Sequence, residues 1–292
     1  MSLLAEFGDI TRQDEPLAPH TWMKLGGPAE YFIQPRNPDE LRRVVLSCHE
    51  NGIPIRVLGG GSNLLIGESG VRGAVLRIAG DAFTRIDIEG TQVRSGGGAP
   101  LSQLISRSVK EGLAGLETLA GIPGTVGGGL HGNAGGRSGD IGQFVNSVTV
   151  LTARGDLIVR SEDELSFGYR QSSVDELVIL EAVFQLHHDD PEEIVRRMRT
   201  LWIMKKATQP LSFQSAGCIF KNPRGMSAGA LIEQCGLKRA KIGGAEISDR
   251  HANFVVTQPS ATADDVRKLI DLARNKVTEQ FGVDLELEIE IW

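Results

Sequence analysis

The chain has 292 residues, a formal net charge of −6, and three cysteines without CxxC spacing, Cys48, Cys218 and Cys235. A chain of this length buries about 75% of its unfolded surface, so it needs no disulfide or metal to stabilise it. The acidic balance argues against nucleic acid or an anionic membrane as a partner. No run of residues approaches the ~18 apolar residues of a membrane span, and the N-terminus has acids where a signal peptide has Lys or Arg. These features predict a cytoplasmic protein with reduced thiols and no metal site.

A strand, a helix and a second strand are predicted first along the chain. Residues 30–36 are expected to form a strand, and Asn37-Pro38-Asp39-Glu40 has the cap, proline and acids of a helix start. Gly52 is expected to end this helix. The apolar strand 53–58 then runs directly into Gly59-Gly60-Gly61-Ser62-Asn63.

A second strand, at 92–94, also runs into three glycines, Gly96–Gly98, before Pro100 opens a helix to Glu111. Residues 115–139 have no clear helix or strand period but contain the densest glycine cluster, GIPGTVGGGLHGNAGGRSG. We interpret this segment as an ordered functional loop. Glycine makes up 36 of the 292 residues, about 12%, against an average near 7%.

The remaining elements are predicted from periodicity and caps. Residues 145–151 and 157–160 are expected to pair as a hairpin, followed by a strand at 177–186. Asp190 starts a helix that runs to Lys206, and Thr262 caps another with apolar residues on one face. The alternation from Val283 to Trp292 predicts a final strand, with Glu286, Glu288 and Glu290 on one side.

The glycine clusters suggest a diphosphate site, because a diphosphate needs several backbone N–H donors and only glycine lets the backbone approach so closely. The spacing is not G-x-G-x-x-G, which disfavours a Rossmann site, and no Gly-Lys-Ser/Thr follows, which excludes a P-loop. A tight turn or bulge is the alternative for each cluster taken alone.

Cys218 is the cysteine with small neighbours, in SAGCIFKNPR. A free thiol is mostly protonated at neutral pH and can donate a proton. A buried core cysteine is the alternative reading here, and the helical apolar patterns around Cys48 and Cys235 favour it for those two residues. Spacing alone gives no preference among the three glutamates of the last strand, nor any role for Arg170.

Taken in order, several segments resemble the family of UDP-N-acetylenolpyruvoylglucosamine reductases, MurB. The matching segments cover nearly the whole chain: HTWMKLGGPAEYF, VLGGGSNLLI, AGIPGTVGGGLHGNAGG, SFGYR, SAGCIFKNP, KIGGAEISDRHANFVV and LELEIEI.

The resemblance implies an α+β chain with a flavin-binding fold of the vanillyl-alcohol-oxidase type. Its FAD-binding subdomains are expected at 1–75 and 76–188, and a substrate domain at 189–292. The implied reaction is the NADPH-dependent, FAD-mediated reduction of the enolpyruvyl ether of UDP-N-acetylglucosamine to UDP-N-acetylmuramate. FAD is expected to be noncovalent, and the chain a monomer.

The resemblance also implies roles for individual residues. Cys218 stands where the family more often has a serine proton donor, Arg170 matches the arginine that stabilises developing charge, and Glu288 matches the C-terminal glutamate. FAD is expected to contact Gly59, Gly60, Gly61, Ser62, Asn63, Gly121, Pro123, Gly124, Thr125, Gly127, Gly128, Asn133, Ala134 and Gly135. The substrate is expected to contact Tyr169, Lys221, Asn222 and a basic residue upstream, Lys206 or Lys205.

The short connection between Arg170 and the strand at 177 indicates the subclass that lacks a tyrosine-bearing flap. The sequence leaves two other functions open. A flavin oxidase of the same fold predicts oxygen reactivity and often a covalent flavin link, for which His131 is the nearby candidate. A sugar-nucleotide binding protein without a redox role predicts that no flavin copurifies.

Overall fold

A computed structural model describes residues 3–136 and 138–292. The chain divides into two compact units, each assembled from separate chain segments. Unit 1 comprises the N-terminal stretch up to Glu15, Glu30–Gly60 and Arg72–Ile203; unit 2 comprises Pro16–Ala29, Gly61–Val71 and Met204–Trp292. The subdomain boundaries expected after residues 75 and 188 stay a prediction.

The helices are short except for two near the C-terminal part of the chain. They are α1 Leu3–Phe7, α2 Pro38–Glu50, α3 Asp81–Thr84, α4 Leu101–Lys110, α5 Val126–His131, α6 Pro191–Thr208, α7 Ala228–Gln234 and α8 Ala263–Phe281. Single 3₁₀ turns lie at Ala18–His20, Leu116–Leu119, Ile141–Phe144 and Glu162–Glu164. Within the described residues, no helix is long and apolar enough to cross a membrane.

Capping explains where the longer helices begin. The Asn37 side chain accepts a 2.9 Å hydrogen bond from the Glu40 N–H at the start of α2, as the sequence predicts. At the start of α8, Thr262 and Asp265 form a reciprocal capping box. Gly282 ends α8 at a φ of +67°, a backbone conformation that glycine adopts without steric cost.

The strands fall into several sheets. They are β1 Thr11–Pro16, β2 Pro28–Ile33, β3 Ile55–Leu58, β4 Leu64–Leu65, β5 Val71–Arg77, β6 Ile86–Glu89, β7 Gln92–Gly96, β8 Leu113–Ala114, β9 Gly135–Gly136, β10 Gly139–Asp140, β11 Val145–Leu151, β12 Leu157–Ser161, β13 Phe167–Gly168, β14 Gln171–Ser172, β15 Val178–Gln185, β16 His187–His188, β17 Lys241–Ile242, β18 Ala245–Ile247, β19 Val255–Thr257 and β20 Glu290–Ile291.

Unit 1 is built on two of these sheets. A four-stranded sheet with the order β1-β2-β5-β3 lies largely in it, and its β3 and β5 are parallel. A five-stranded antiparallel sheet has the order β12-β11-β15-β7-β6. This sheet contains the predicted hairpin, β11 with β12, and the predicted strand β15 beside it. Both predictions are confirmed.

Each unit has its own hydrophobic core. In unit 1, α4 and α5 pack with one cluster that includes Leu104, Leu130 and Phe184, while α2 packs with a second around Leu41 and Leu76. In unit 2, the buried face of α8 packs against the small sheet β17-β18-β19 and against Leu65. The face predicted for α8 is the buried one: Val266, Leu269, Ile270, Ala273 and Val277 are all 3% exposed or less.

Two predictions about secondary structure are wrong. The segment 115–139 is not all loop, because it contains the 3₁₀ turn Leu116–Leu119 and the helix α5, whose three consecutive glycines conceal the helical period. The segment 283–292 is not one continuous strand, because it changes partner: Leu287 pairs with Phe220, whereas Glu290 and Ile291 pair with β4. The expected alternation in burial persists at Leu285 and Ile289, which are 3% and 4% exposed.

Candidate active site

Gly59 and Gly60 of the first glycine cluster meet the third glycine cluster in unit 1. A Cβ atom added to Gly60 would lie 2.8 Å from the Gly124 Cα, and one added to Gly59 would lie 2.7 Å from the Thr125 Oγ1. Distances this short mean that the two backbones touch, and that a side chain at Gly60 would push them apart. The sequence predicted both segments as parts of one site but not that they are in contact.

The middle glycine cluster supports the third one. The Gly97 carbonyl accepts a 2.7 Å hydrogen bond from the Gly127 N–H, and the Ala99 carbonyl accepts a 2.9 Å bond from the Val126 N–H. A Cβ atom on Gly97 would lie 2.0 Å from the Ile179 carbonyl oxygen on β15. Gly96–Gly98, which the sequence left without a function, therefore holds the start of α5 against the five-stranded sheet.

The segment Gly60–Asn63 has the properties expected of a diphosphate cradle. Within the described residues, no backbone carbonyl accepts a hydrogen bond from the N–H groups of Gly60, Gly61, Ser62 or Asn63. Gly61 has a φ of +64°, and a Cβ atom there would lie 2.1 Å from the His20 carbonyl oxygen. A run of available N–H donors on a backbone without bulky side chains fits an anionic diphosphate such as that of FAD.

The C-terminal end of the third glycine cluster makes hydrogen bonds within unit 1. The Ala134 N–H donates to the Gly129 carbonyl at 2.6 Å, and Gly135 pairs with Asp140 in the short ladder of β9 and β10. Gly121 and Gly124 have positive φ values of +76° and +114°. These residues shape the segment, and their predicted contacts with FAD stay a prediction.

Arg170 lies in the two-residue turn between β13 and β14, beside Tyr169. It has a φ of +56°, which is uncommon for a residue other than glycine and costs about 1–3 kcal/mol. Its guanidinium donates a 3.0 Å hydrogen bond to the Gly135 carbonyl and lies 5.4 Å from the centroid of the Tyr169 ring. A permanent cation is thus held in a strained turn, next to the glycine-rich segment.

Asn133 connects that turn to the glycine-rich segment. It is 2% exposed, its Nδ2 donates to the Gly168 carbonyl at 2.7 Å, and its Oδ1 accepts from the Gly142 N–H at 3.1 Å. The sequence predicted Asn133 as a contact of FAD. Its amide is occupied by hydrogen bonds within unit 1, which gives it a structural role that the sequence did not indicate.

Cys218 lies in a segment of unit 2 that pairs with neighbouring chain on both sides. On one side Cys218 pairs with Phe254, and on the other the Ile219 carbonyl accepts a 2.8 Å hydrogen bond from the Glu288 N–H. Two residues beyond Ile219, the Lys221 N–H donates a 2.8 Å hydrogen bond to the Glu286 carbonyl. Two of the three predicted catalytic residues, Cys218 and Glu288, are therefore on neighbouring extended segments.

The Cys218 side chain is half-buried, so the core-cysteine reading does not apply to it. Cys48 is fully buried on α2, as predicted, and burial raises the pKa of its thiol to about 11. The thiol of Cys235 is partly buried, and burial raises its pKa as well. None of the three cysteines forms a disulfide, and no group of described side chains could hold a metal ion.

The predicted substrate residues occupy different places. The Lys221 ammonium forms an ion pair with Glu286, and the Asn222 Oδ1 accepts a 3.0 Å hydrogen bond from the Ala228 N–H at the start of α7. Lys206 is exposed on α6, with its carbonyl accepting from the Arg250 guanidinium. Tyr169 is 53% exposed in unit 1. These contacts do not test whether the four residues bind the substrate, so their roles stay predictions.

The N-terminal half of the chain is similar to a known class of cofactor-binding domain. The model of an FAD binding domain matches residues 29–161, which include all three glycine clusters. The chain is thus a flavoprotein, in agreement with the diphosphate cradle.

A second family model, described as the C-terminal domain of UDP-N-acetylenolpyruvoylglucosamine reductase, matches residues 209–292. UDP-N-acetylenolpyruvoylglucosamine reductase 2 of Symbiobacterium thermophilum is 42% identical, covering 100% of this chain and 94% of that relative. The reductase of Clostridium botulinum strain Hall is 39% identical, covering 99% and 96%. The chain belongs to the family of UDP-N-acetylenolpyruvoylglucosamine reductases.

A solved structure agrees with this assignment. The crystal structure of the reductase (MurB) from Thermus caldophilus has a TM-score of 0.84 and 39% sequence identity, covering 97% of this chain and 99% of that one. The predicted family, flavin-binding α+β fold, reductase activity in peptidoglycan precursor synthesis, and use of FAD and NADPH are confirmed. The substrate is a sugar nucleotide.

Proposed function

We propose that Cys218, Arg170 and Glu288 carry the reduction of the enolpyruvyl ether of UDP-N-acetylglucosamine to UDP-N-acetylmuramate. The main support is the position of Cys218 beside Glu288 on neighbouring segments, joined by the hydrogen bond between the Glu288 N–H and the Ile219 carbonyl. A proton donor and a carboxylate held on one framework are what this reaction requires of the protein.

The chemistry divides between the cofactor and the chain. When bound, FAD supplies to the substrate a hydride that it takes from NADPH. The vinyl π bond accepts this hydride at its terminal carbon, and the electron pair of that bond moves to the neighbouring carbon and its carboxylate. The Cys218 thiol then gives its proton to that neighbouring carbon, which completes the lactyl ether and leaves a thiolate.

Arg170 acts on the charge that develops between these two events. A guanidinium is always charged and binds a carboxylate through two parallel hydrogen bonds, so it stabilises the negative charge on the enolpyruvyl carboxylate. The strained φ of Arg170 supports this role, because the turn holds the residue in a conformation that it would not adopt on its own.

The proposal includes five residues with supporting roles: Glu288, Lys221, Asn222, Lys206 and Tyr169. Glu288 orients the substrate or the proton network, while Lys221, Lys206 and the neutral groups of Asn222 and Tyr169 bind the sugar nucleotide. Lys221 must exchange its ion pair with Glu286 for a phosphate to do so. We also propose that the enzyme acts in the cytoplasm as a monomer, without nucleic acid or membrane partners, in keeping with its net charge of −6.

Anaerobic stopped-flow experiments separate the two half-reactions. NADPH is expected to bleach the flavin in the unmutated enzyme and in Cys218→Ser and Cys218→Ala alike. Mixing with the enolpyruvyl sugar nucleotide is expected to restore flavin absorbance in the unmutated enzyme, more slowly in Cys218→Ser, and about 100-fold more slowly or not at all in Cys218→Ala.

The matched control is Cys235→Ala, which removes a partly buried thiol of unit 2 at the end of α7. It is expected to leave both half-reactions unchanged. Normal reoxidation of Cys218→Ala would show that the thiol is not the proton donor.

A further inference from the structure

Asn253 is a buried asparagine, 2% exposed, that makes a two-point contact with the segment carrying Cys218. Its Oδ1 accepts a 2.9 Å hydrogen bond from the Phe220 N–H, and its Nδ2 donates a 2.7 Å bond to the Phe220 carbonyl. Its own carbonyl accepts from the Ile219 N–H at 2.8 Å. One residue thus pairs three main-chain groups in the two positions that follow Cys218.

The opposite edge of the same segment faces Glu288. There the Ile219 carbonyl accepts from the Glu288 N–H, and Phe220 pairs with Leu287. The segment from Cys218 to Phe220 is therefore fixed between Asn253 on one edge and the Glu288 segment on the other. Ile219 and Phe220 are 1% and 2% exposed, so bulk water does not reach the main-chain groups that Asn253 pairs.

Only an uncharged amide meets this requirement fully. The Phe220 N–H needs an acceptor and the Phe220 carbonyl needs a donor, and an amide offers one of each at the right separation. A carboxylate offers acceptors alone, and an apolar side chain leaves both groups unpaired. The preceding turn keeps the amide in place, because the Asn253 N–H donates to the Nδ1 of the half-buried His251 at 3.2 Å.

We infer that Asn253 is a positioning residue that sets the place of the Cys218 thiol relative to Glu288, and so governs proton transfer to the substrate carbon. This inference rests on the function proposed above, in which Cys218 is the donor. Proton transfer is sensitive to displacement of the donor by fractions of an ångström, whereas hydride uptake from NADPH does not involve the thiol.

The test measures three properties of Asn253→Ala: flavin bleaching by NADPH, binding of the sugar nucleotide to the oxidised enzyme, and flavin reoxidation by that sugar nucleotide. Bleaching and binding are expected to change less than about threefold. Reoxidation is expected to slow by about tenfold or more, with a larger solvent deuterium isotope effect, because proton transfer becomes limiting.

Thr257→Val is the matched control. It removes another buried hydrogen bond of the same region, from the Thr257 hydroxyl to the Met23 carbonyl at 2.9 Å, together with a longer one to the Gln214 carbonyl at 3.5 Å. It is expected to lower stability but to keep the ratio of the two half-reactions. Asn253→Asp, which keeps the size and the acceptor, serves if Asn253→Ala does not fold.

Equal slowing of both half-reactions, or an unchanged isotope effect with slow reoxidation, would overturn the positioning role. An unmutated enzyme that does not reoxidise with the sugar nucleotide, or a Cys218→Ala variant that reoxidises normally, would instead refute the proposed function. The two failures are distinguished by the protein that departs from expectation: Asn253→Ala for the positioning role, and the unmutated enzyme or Cys218→Ala for the proposed function.

Discussion

The side-chain amide of Asn63 donates a 2.9 Å hydrogen bond to the main-chain carbonyl of Glu288. The Glu290 N–H returns a 3.0 Å bond to the Asn63 carbonyl, so Asn63 is tied to both sides of Ile289. Asn63 ends the GGGSN segment, predicted to hold the FAD diphosphate, while Glu288 is a predicted catalytic residue. Within unit 2, the last residue of the cradle and the segment that carries the glutamate are thus joined by hydrogen bonds.

Asn63→Ala is expected to disturb Glu288 more than the binding of FAD. The variant loses one exposed hydrogen bond, which lowers the free energy of unfolding by about 0.5–1.5 kcal/mol. We expect turnover to fall severalfold while the flavin stays bound, as judged from steady-state kinetics and the flavin content of the purified protein. Loss of flavin with normal turnover of the remaining holoenzyme would assign Asn63 to the cofactor alone.

Gly60→Ala is expected to weaken FAD binding. The added methyl would lie 2.8 Å from the Gly124 Cα, and neither backbone segment can move without disturbing the other. An overpacked contact of this kind costs about 1–3 kcal/mol, which corresponds to a loss of about 5-fold to 150-fold in affinity. Titration of apoenzyme with FAD, followed by quenching of flavin fluorescence, measures it.

Gly132→Ala is the control for this experiment. Gly132 lies in the third glycine cluster, its φ is −93°, and a methyl there would meet only the Gly128 carbonyl oxygen at 3.8 Å. Its affinity for FAD is expected to be normal. If Gly60→Ala binds FAD as well as Gly132→Ala does, the contact between the two segments is not needed for the cofactor.

Arg170→Gly and Arg170→Ala are expected to differ in stability but not in activity. Both lose the guanidinium, so turnover should be abolished or reduced by at least about 100-fold while FAD stays bound. Glycine accepts the φ of +56° without strain and alanine does not, so the glycine variant should be more stable by about 1 kcal/mol. Urea unfolding compares the two, and equal stabilities would show that the turn is not strained.

His251 is expected to make the enzyme sensitive to mild acid. Burial lowers its pKa below the ordinary value of 6.5, nearby Lys238 lowers it further, and Glu233 opposes both effects. The unfolded chain therefore binds a proton more readily than the folded one. The stability contributed by neutral His251 is complete above pH 6.5 and is lost as the pH falls from there toward the folded-state pKa.

His251→Asn is designed to remove this sensitivity while its Oδ1 replaces the Nδ1 acceptor of the Asn253 N–H. The free energy of unfolding, measured in urea between about pH 7.5 and 5.5, should fall less steeply with decreasing pH than that of the unmutated enzyme. The difference in slope should be at most about 1.4 kcal/mol per pH unit. Parallel stability curves for the two proteins would mean that His251 titrates normally.

Local signals in the sequence predicted the longer helices α2, α4, α6 and α8 and several strands, but not β1, β5, α7 or the sheet β17-β18-β19. The caps at Asn37 and Thr262, and the hairpin of β11 with β12, depend on residues close together in the chain. α5 was missed because its glycines carry no apolar period. The break in the last strand was missed because a change of pairing partner is a tertiary event that no local pattern records.

The candidate site divides in the same way. The glycine clusters could be predicted because diphosphate binding requires glycine, whereas Cys218, Arg170 and Glu288 stood out only through the family resemblance. Asn133 and Asn253 were not recognised as structural residues, although each is in a segment that the resemblance includes. Their signal was weak, since a buried asparagine is distinguished from an exposed one by partners distant in sequence, such as Phe220 for Asn253.

Unit 2 is assembled from chain segments that are far apart in sequence, and this affects how the protein folds. Its core takes Met23 and Leu65 from early in the chain, and β4 pairs with β20 across more than two hundred residues. Contacts between residues so far apart form slowly, because a long loop must close before they contribute any stability. On the ribosome, the N-terminal pieces of unit 2 must wait, with apolar surface uncovered, until Glu290 and Ile291 have been synthesised. A fragment consisting of residues 204–292 alone would lack both core residues and the partner of β20, so we expect it to be recovered unfolded or aggregated.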